Sequence, residues 1–466
     1  MLKSVGIATL IALLSTFFGS LLAFLIIKTK IKFRSFFKIV LLIPLFVSPY
    51  LLAVAWKDIV QFIFHSNSLL YSISGVILIL TTIYTPLSML IVSSGLSQID
   101  SQIEEAGILS VGFNKMVFRI LIPLLKPTFQ LSLILVFIFS LSEFSVPAFF
   151  GVKVFTTEIF TEFSAFYHHT LAVLQSLFLV ILSLLLVYSQ RKQLADNPFF
   201  SIKGKGVKLK YYTIKGFENT AWLFPATWFF VSVIFPILML VYQTRENFSA
   251  SFNKAWQLLQ PSIFSSLTLA SISALCIVII GAIVAFHLNN RNHNRLFYWW
   301  LIVTFVMPST VYGISLIKFY NQPSLELIYG SSLILIIGYI GKFSFVSVKL
   351  IDNAFKQLPK SLFEIAKIQG VSFFRRLTQL YFPLLFPALF TGFMVSFVFS
   401  LSELGTSIML YPPGTSLMPI KVFTVMANAP QALNSAMTLV VLLVTLVSTL
   451  SFYILAKPYL KRFSYD

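Results

Sequence analysis

The chain reads as long apolar runs parted by short polar segments. Eleven runs stand out, near 5–27, 36–56, 70–94, 124–145, 168–190, 220–242, 263–287, 298–318, 331–350, 384–404 and 433–456. About 20 apolar residues let a helix cross the bilayer core, and each run reaches that length. Barrel strands alternate apolar and polar positions, whereas these runs are apolar throughout. The pattern predicts an all-α polytopic membrane protein with about 11 transmembrane helices. Pro44, Pro49 and Pro308 fall inside runs, where they are expected to mark hinges or unwound backbone facing the bundle interior.

Composition agrees, and charge orients the chain. Hydrophobic residues make up 58% and charged residues 11%, against roughly 25% charged in soluble domains. The net charge of +19 is not spread evenly. Segments 28–38, 95–126, 191–218, 288–297, 349–380 and 457–466 hold 26 of the 34 Lys and Arg residues. Basic loops stay on the cytoplasmic side, so these alternate segments are assigned there. The C-terminus is then cytoplasmic and, with eleven spans, the N-terminus is outside. The positive charge is a topology signal and implies no nucleic-acid partner. The first apolar stretch exceeds the roughly 7–15 residues of a signal-peptide core and runs straight into a basic segment, so it is read as a retained span. The one cysteine, Cys276, lies inside an apolar run and has no partner for an intrachain disulfide.

The chain also repeats itself. "FSLSE" occurs at 139–143 and again at 399–403, each copy ending an apolar run on a carboxylate. Residues 104–143 align with 364–403 without a gap, with 15 of 40 positions identical. Pro123 and Pro127 fall on Pro383 and Pro387, and Glu104 falls on Glu364. "KVFT" recurs at 153–156 and 421–424. Six spans separate equivalent positions, so both copies face the same way. Parallel repeats of this kind are a common transporter plan, with the substrate path between them. Residues 1–190 are read as the first half, 191–218 as a basic cytoplasmic linker and 219–466 as the second half. The run at 220–242 has no counterpart in the first half. That leaves open eleven spans or a start further upstream.

Each half carries one cytoplasmic loop longer than its topology needs. They read "EEAGILSVGFNKMVFRILIPLLKP" (104–127) and "EIAKIQGVSFFRRLTQLYFPLLFP" (364–387). A short helix is expected from Glu364 to Gln369, ending at Gly370, which tolerates the backbone of a helix stop. An amphipathic stretch then leads to the paired prolines. In the first copy Ser110 stands at the glycine position and Gly112 lies two residues on, which predicts a shifted turn.

The spacing Glu-x-Ala, three residues, Gly, then Pro-x-x-x-Pro resembles the EAA loop of ABC-transporter permeases. Glu364, Ala366, Gly370, Pro383 and Pro387 carry it in the second copy. Glu104, Glu105, Ala106, Pro123 and Pro127 carry it in the first, with Ser110 and Gly112 at the displaced turn. Over nearly its whole length the chain resembles the fused, double-length permeases of the ferric-iron, thiamine, polyamine and phosphonate uptake group. Its segments "SEFSVPAFFGVKVFTTEIFTEF" and "SELGTSIMLYPPGTSLMPIKVFT" are most similar to iron-type members. This resemblance implies the type I importer fold: two parallel helical halves in the cell inner membrane. It also implies two copies of a cytoplasmic ATP-binding subunit docked on the twin loops. A periplasmic or lipid-anchored solute-binding protein would meet the outer face. Membrane lipid is the remaining partner, and no cofactor is implied.

Glu143 and Glu403 are candidates for an acidic pair at the pore mouth, since charged residues in spans usually face the interior or water. The alternative is that each acid fixes its helix end against neighbouring backbone. "YHH" at 167–169, near Glu158 and Glu162, lacks the converging spacing of a metal site, and no metal is assigned. Lys57, Lys318 and Lys342 are read as snorkelling toward an interface. No GxxxxGK[ST] phosphate loop is present, so ATP hydrolysis is assigned to a partner chain and the protein itself is not an enzyme. An ion-coupled secondary carrier is the competing class. Duplicated halves fit it too, but twin cytoplasmic loops give such a carrier nothing to dock.

Overall fold

The computed structural model describes all residues except 66–68, 190–211, 213–219, 291–295, 359, 427 and 464–466. The basic linker expected at 191–218 lies outside the described residues, apart from Tyr212. Among the described residues, regular structure is helical, and one isolated β-bridge joins Thr29 to Tyr212.

The first set of helices comprises α1 (Leu2–Lys28), α2 (Pro49–Phe64), α3 (Ile73–Leu96), α4 (Ser101–Val111), α5 (Ile122–Ser142), α6 (Phe155–Ser164) and α7 (His169–Ser189). After α8 (Phe235–Thr244) the series runs again. It comprises α9 (Phe248–Asn290), α10 (Ser309–Tyr320), α11 (Leu333–Gln357), α12 (Lys360–Ile368), α13 (Phe382–Ser402), α14 (Met418–Met426) and α15 (Gln431–Phe463). Helix for helix, α1–α7 match α9–α15.

Among the described residues, eight helical stretches are long and apolar enough to cross a membrane, or up to ten if each of two bent pairs is one span. The count of eleven is not reproduced among them. The runs expected at 220–242 and 263–287 are joined in one helical stretch, Leu223–Asn289. The runs at 36–56 and 298–318 are broken. Arg34–Phe46 meets Pro49–Phe64 at 100°, and Phe297–Val306 meets Ser309–Tyr320 at 116°. Proline explains both breaks, because Pro49 and Pro308 bring no N–H to continue the ladder.

Apolar helices gain no hydrophobic drive from meeting one another in lipid, so close packing and hydroxyl contacts hold them. In the first half α1 packs on α3 and α5; in the second, α9 packs on α11 and α13. A Cβ added at Gly19 of α1 would lie 2.5 Å from the Ser88 Cβ of α3. One added at Gly281 of α9 would lie 2.6 Å from the Ser347 Oγ of α11. The same small-residue seam thus closes both halves. In the first half it continues as a buried hydroxyl cluster. Ser88 and Ser132 are 2.7 Å apart, with Thr16 3.1 Å from Ser132.

The halves are exchanged as well as repeated. Helix α2 of the first half packs on α8 and α15, while α10 of the second packs on α6. Buried Asp58 on α2 accepts hydrogen bonds from Gln431 (2.5 Å) and Ser435 (2.8 Å) of α15. Ser48 donates to the Ser402 carbonyl at 2.9 Å, a second tie across the junction. Both large apolar clusters draw side chains from both halves.

Replacing Gly19 with leucine should force α1 off α3. We expect a loss of about 1–3 kcal/mol, the usual range for overpacking a tight interface. Thermal unfolding of the detergent-purified variant, beside Gly6→Leu where a Cβ meets nothing within 4 Å, checks this.

Candidate functional site

The twin loops fold as short helices that stop at glycine. Gly112 (φ +79°) and Gly370 (φ +70°) hold left-handed backbone that a side chain would strain. The first turn is therefore at Gly112, while Ser110 is still inside α4. After each turn comes a short α-helical piece and a five-residue π turn, Val117–Leu121 or Leu377–Tyr381, leading into α5 or α13. Pro123 and Pro383 stand directly beyond these π turns. A proline withholds the N–H that the α-ladder would use, and the wider π turn accommodates that gap.

Burial shifts the pairing of the two loops by one residue. In the first loop Glu104 and Gly107 are buried, while Glu105, Ala106 and Leu109 are exposed. In the second, Ala366 is buried, and Glu364, Ile365 and Ile368 are exposed. An offset of 259 superposes these patterns, whereas the 260 of the ungapped sequence alignment does not. The close contacts of Gly19 with Ser88 and of Gly281 with Ser347 sit at the same 259 offset on α3 and α11. The counterpart of Glu364 is thus Glu105, not Glu104, and that of Ala366 is Gly107, not Ala106. The chain returns to 260 after the turn, where Phe113 meets Phe373. Each loop ends in an acid and a protruding aliphatic residue on the outer helix face: Glu105 with Leu109 (89% exposed), and Glu364 with Ile368 (84%).

Glu104 turns inward instead. Its carboxylate pairs with the Lys28 ammonium at 2.6 Å, both side chains being at most 1% exposed. It also accepts the Tyr212 hydroxyl at 2.8 Å. Burial, then the hydrogen bond to Glu104, pushes the Tyr212 phenol up from its ordinary value, so it stays a donor. Sequence reading passed over Lys28 and Tyr212, because a lysine in a basic segment and a tyrosine in a linker carry no signal of pairing.

At the other end of the bundle, Glu143 and Glu403 line one cavity of about 190 Å³ between the halves, together with Tyr84, Ser309 and Lys342. Both acids act on their own helix ends. Glu143 accepts the Ser145 N–H at 2.8 Å, the Ser145 hydroxyl and the Val146 N–H at 3.4 Å, and receives the Tyr84 hydroxyl at 3.3 Å. Glu403 accepts the Thr406 N–H at 2.9 Å. The repeat of FSLSE therefore repeats a cap: an acid that satisfies the first N–H groups of the chain re-entering beyond the span. Lys342 does not snorkel. It is buried at the cavity and donates to the Met307 carbonyl, beside the Pro308 break. Lys318 is exposed. His168 pairs with Glu162 at 3.0 Å, and His169 packs edge-on against Phe163.

The repeated helices, the twin glycine-stopped loops and the cavity between the halves define an all-helical membrane protein built of two repeated halves. Residues 277–464 match the family described as "Binding-protein-dependent transport system inner membrane component". The match covers most of the second half of the chain. The chain is 24% identical to the ferric transport system permease protein FbpB of Actinobacillus pleuropneumoniae, over 89% of this chain and 64% of that protein. It is 25% identical to the putative ferric transport system permease protein FbpB 1 of Haemophilus influenzae, over 90% of this chain and 71% of that one. It therefore spans about two thirds of the first of these relatives. A putative 2-aminoethylphosphonate transport system permease protein of Salmonella typhimurium matches at 24%, with 45% of this chain covering 78% of it. Less than half of this chain thus covers most of that relative.

If capping is what Glu143 does, Glu143→Gln should keep the acceptor and lie near wild type in stability, while Glu143→Ala loses about 1 kcal/mol, a typical cap. Thermal unfolding of the two variants separates this from a role for the charge, which would make them equally impaired.

Proposed function

We propose that the chain is the membrane-spanning subunit of an ATP-driven importer. In this reading α4 and α12 dock on two copies of a cytoplasmic ATP-binding subunit, and a solute-binding protein delivers substrate to the opposite face. The observation that carries it is the matched pair of loops. Two helices in different halves, in the same burial register, present an acid and an aliphatic tip on the outer face. A mere connector has no reason to expose leucine and isoleucine to water at equivalent positions, whereas an apolar knob beside an acid suits a cleft in a partner. The chain has no phosphate loop of its own, so the partner hydrolyses ATP. That event drives the pore only by favouring one of its states.

The basic segments place α4, α12 and the C-terminus in the cytoplasm. The ends of α1, α4 and Tyr212, all from segments assigned there by charge, meet at one end of the bundle. Residue Ser4 meets Phe155 at the other, where the Phe155 N–H donates to the Ser4 hydroxyl at 2.9 Å. Iron(III) is the substrate this reading favours, because the ferric permeases align along most of the chain. Thiamine, a polyamine or a phosphonate are the other outcomes within the same class.

Two measurements test the proposal. The first is purification from the native membrane. Wild type should bring down an ATPase, and a Glu105→Arg, Glu364→Arg double variant should lose it. Wild type arriving with no ATPase would point to an ion-driven carrier instead. Uptake of radiolabelled iron(III) by cells lacking the gene should fall, and an unchanged rate would remove iron. The second concerns the turn. Gly370→Val strains left-handed backbone by roughly 1–2 kcal/mol, with nothing within 4 Å to clash. We expect it to insert normally and to lower transport per ATP hydrolysed. Normal coupling in that variant would contradict the docking role.

A further inference from the structure

Three segments distant in sequence meet around Glu104. Lys28 is the last residue of α1, Glu104 lies on the inner face of α4, and Tyr212 belongs to the stretch joining the halves. Tyr212 is held by main chain as well as side chain. Its N–H donates to the Lys28 carbonyl at 2.7 Å, and its carbonyl accepts the Lys30 N–H at 3.3 Å. Its ring packs edge-on against Phe113, just past the Gly112 turn, with centroids 5.2 Å apart. The site is walled by apolar residues, among them Ile27, Met116 and Leu121. A carboxylate and an ammonium both taken out of water are costly unless each is well paired, so the three groups depend on one another.

The second half carries different residues at the equivalent positions. It carries Phe363 in place of Glu104, by the 259 offset of the loops. It carries Asn290 in place of Lys28, by the 262 offset that relates Gly19 to Gly281. Two loops with matching outer faces therefore differ in the residue types at these inner positions.

We propose that Lys28, Glu104 and Tyr212 form a clasp that positions the first docking helix and ties it to the stretch between the halves. These are positioning residues: the groups offered to a partner are Glu105 and Leu109, and the clasp sets where they stand. A push on α4 is then passed directly to the end of α1 and to the interhalf stretch. The functional part of this inference rests on the docking reading above, while the clasp itself does not.

The test uses the purified full-length chain in lipid nanodiscs, without partners, and amide exchange followed by mass spectrometry. The variants are Tyr212→Phe, which removes one hydroxyl and keeps the ring, Glu104→Gln, and the exchange Lys28→Glu with Glu104→Lys. Breaking a buried pair should open its helix locally, and we expect roughly tenfold or faster exchange in 101–111. Exchange in 360–368 should stay at the wild-type rate and serves as the internal control. The charge exchange should restore part of the protection lost in Glu104→Gln. Unchanged exchange in 101–111 with Tyr212→Phe and Glu104→Gln, or an equal rise in both loops, would overturn the clasp. If Glu104→Gln fails to fold, the milder Tyr212→Phe decides alone. With the ATPase bound, Tyr212→Phe should retain the partner but transport several-fold less per ATP. Faster exchange with unaltered coupling would keep the clasp and remove its role in docking. Loss of the ATPase from wild type as well would instead tell against the docking reading.

Discussion

Hydrocarbon offers no partner to a backbone N–H or C=O, and from that constraint the rest of this structure follows. Unbroken helix is the default, and each departure from it is satisfied locally. The bends at Pro49 and Pro308 lie against the other half or the cavity, where Lys342 donates to the Met307 carbonyl. The re-entering chain after α5 and after α13 has its first N–H groups capped by Glu143 and Glu403. The π turns before Pro123 and Pro383 spread the gap that a proline leaves in the ladder. Acids and prolines sit in the apolar runs because the backbone needs them there.

The same solvent removes the hydrophobic drive for helix association, which leaves packing and short polar contacts to decide who meets whom. The glycine seams of α1 with α3 and of α9 with α11 close each half. Asp58 with Gln431 and Ser435, and Ser48 with the Ser402 carbonyl, bind the halves to each other. Ser48 and Ser402 also line the cavity on which Glu143 and Glu403 converge. A change in how the halves sit would alter that cavity.

Duplication has left outer surfaces alike and inner supports different. Leu109 and Ile368 protrude to nearly the same extent, yet Glu104 is buried in an ion pair where the other half carries phenylalanine. Sequence similarity between the halves reports the outer faces they share. It is blind to which supports each half has kept for itself.

The helical class, the repeat and the existence of two matched loops were legible in the residues alone. Apolar runs, prolines and charge act through local and solvent-level physics that needs no neighbour. The register of the loops was not, because identical letters at Glu104 and Glu364 outweighed the helix face, and a face exists only against something packed on it. Gly112 was the visible hint, since a turn displaced past Ser110 implies a slipped register. That the runs at 220–242 and 263–287 join in one helical stretch was not legible either, as an apolar pattern does not say whether a helix is interrupted. The capping geometry of Glu143 and the pairing of Lys28, Glu104 and Tyr212 rest on contacts between residues 2 to 184 positions apart. The longest of these were decided only when the tertiary structure brought three buried groups together, since none of them can leave water without the others.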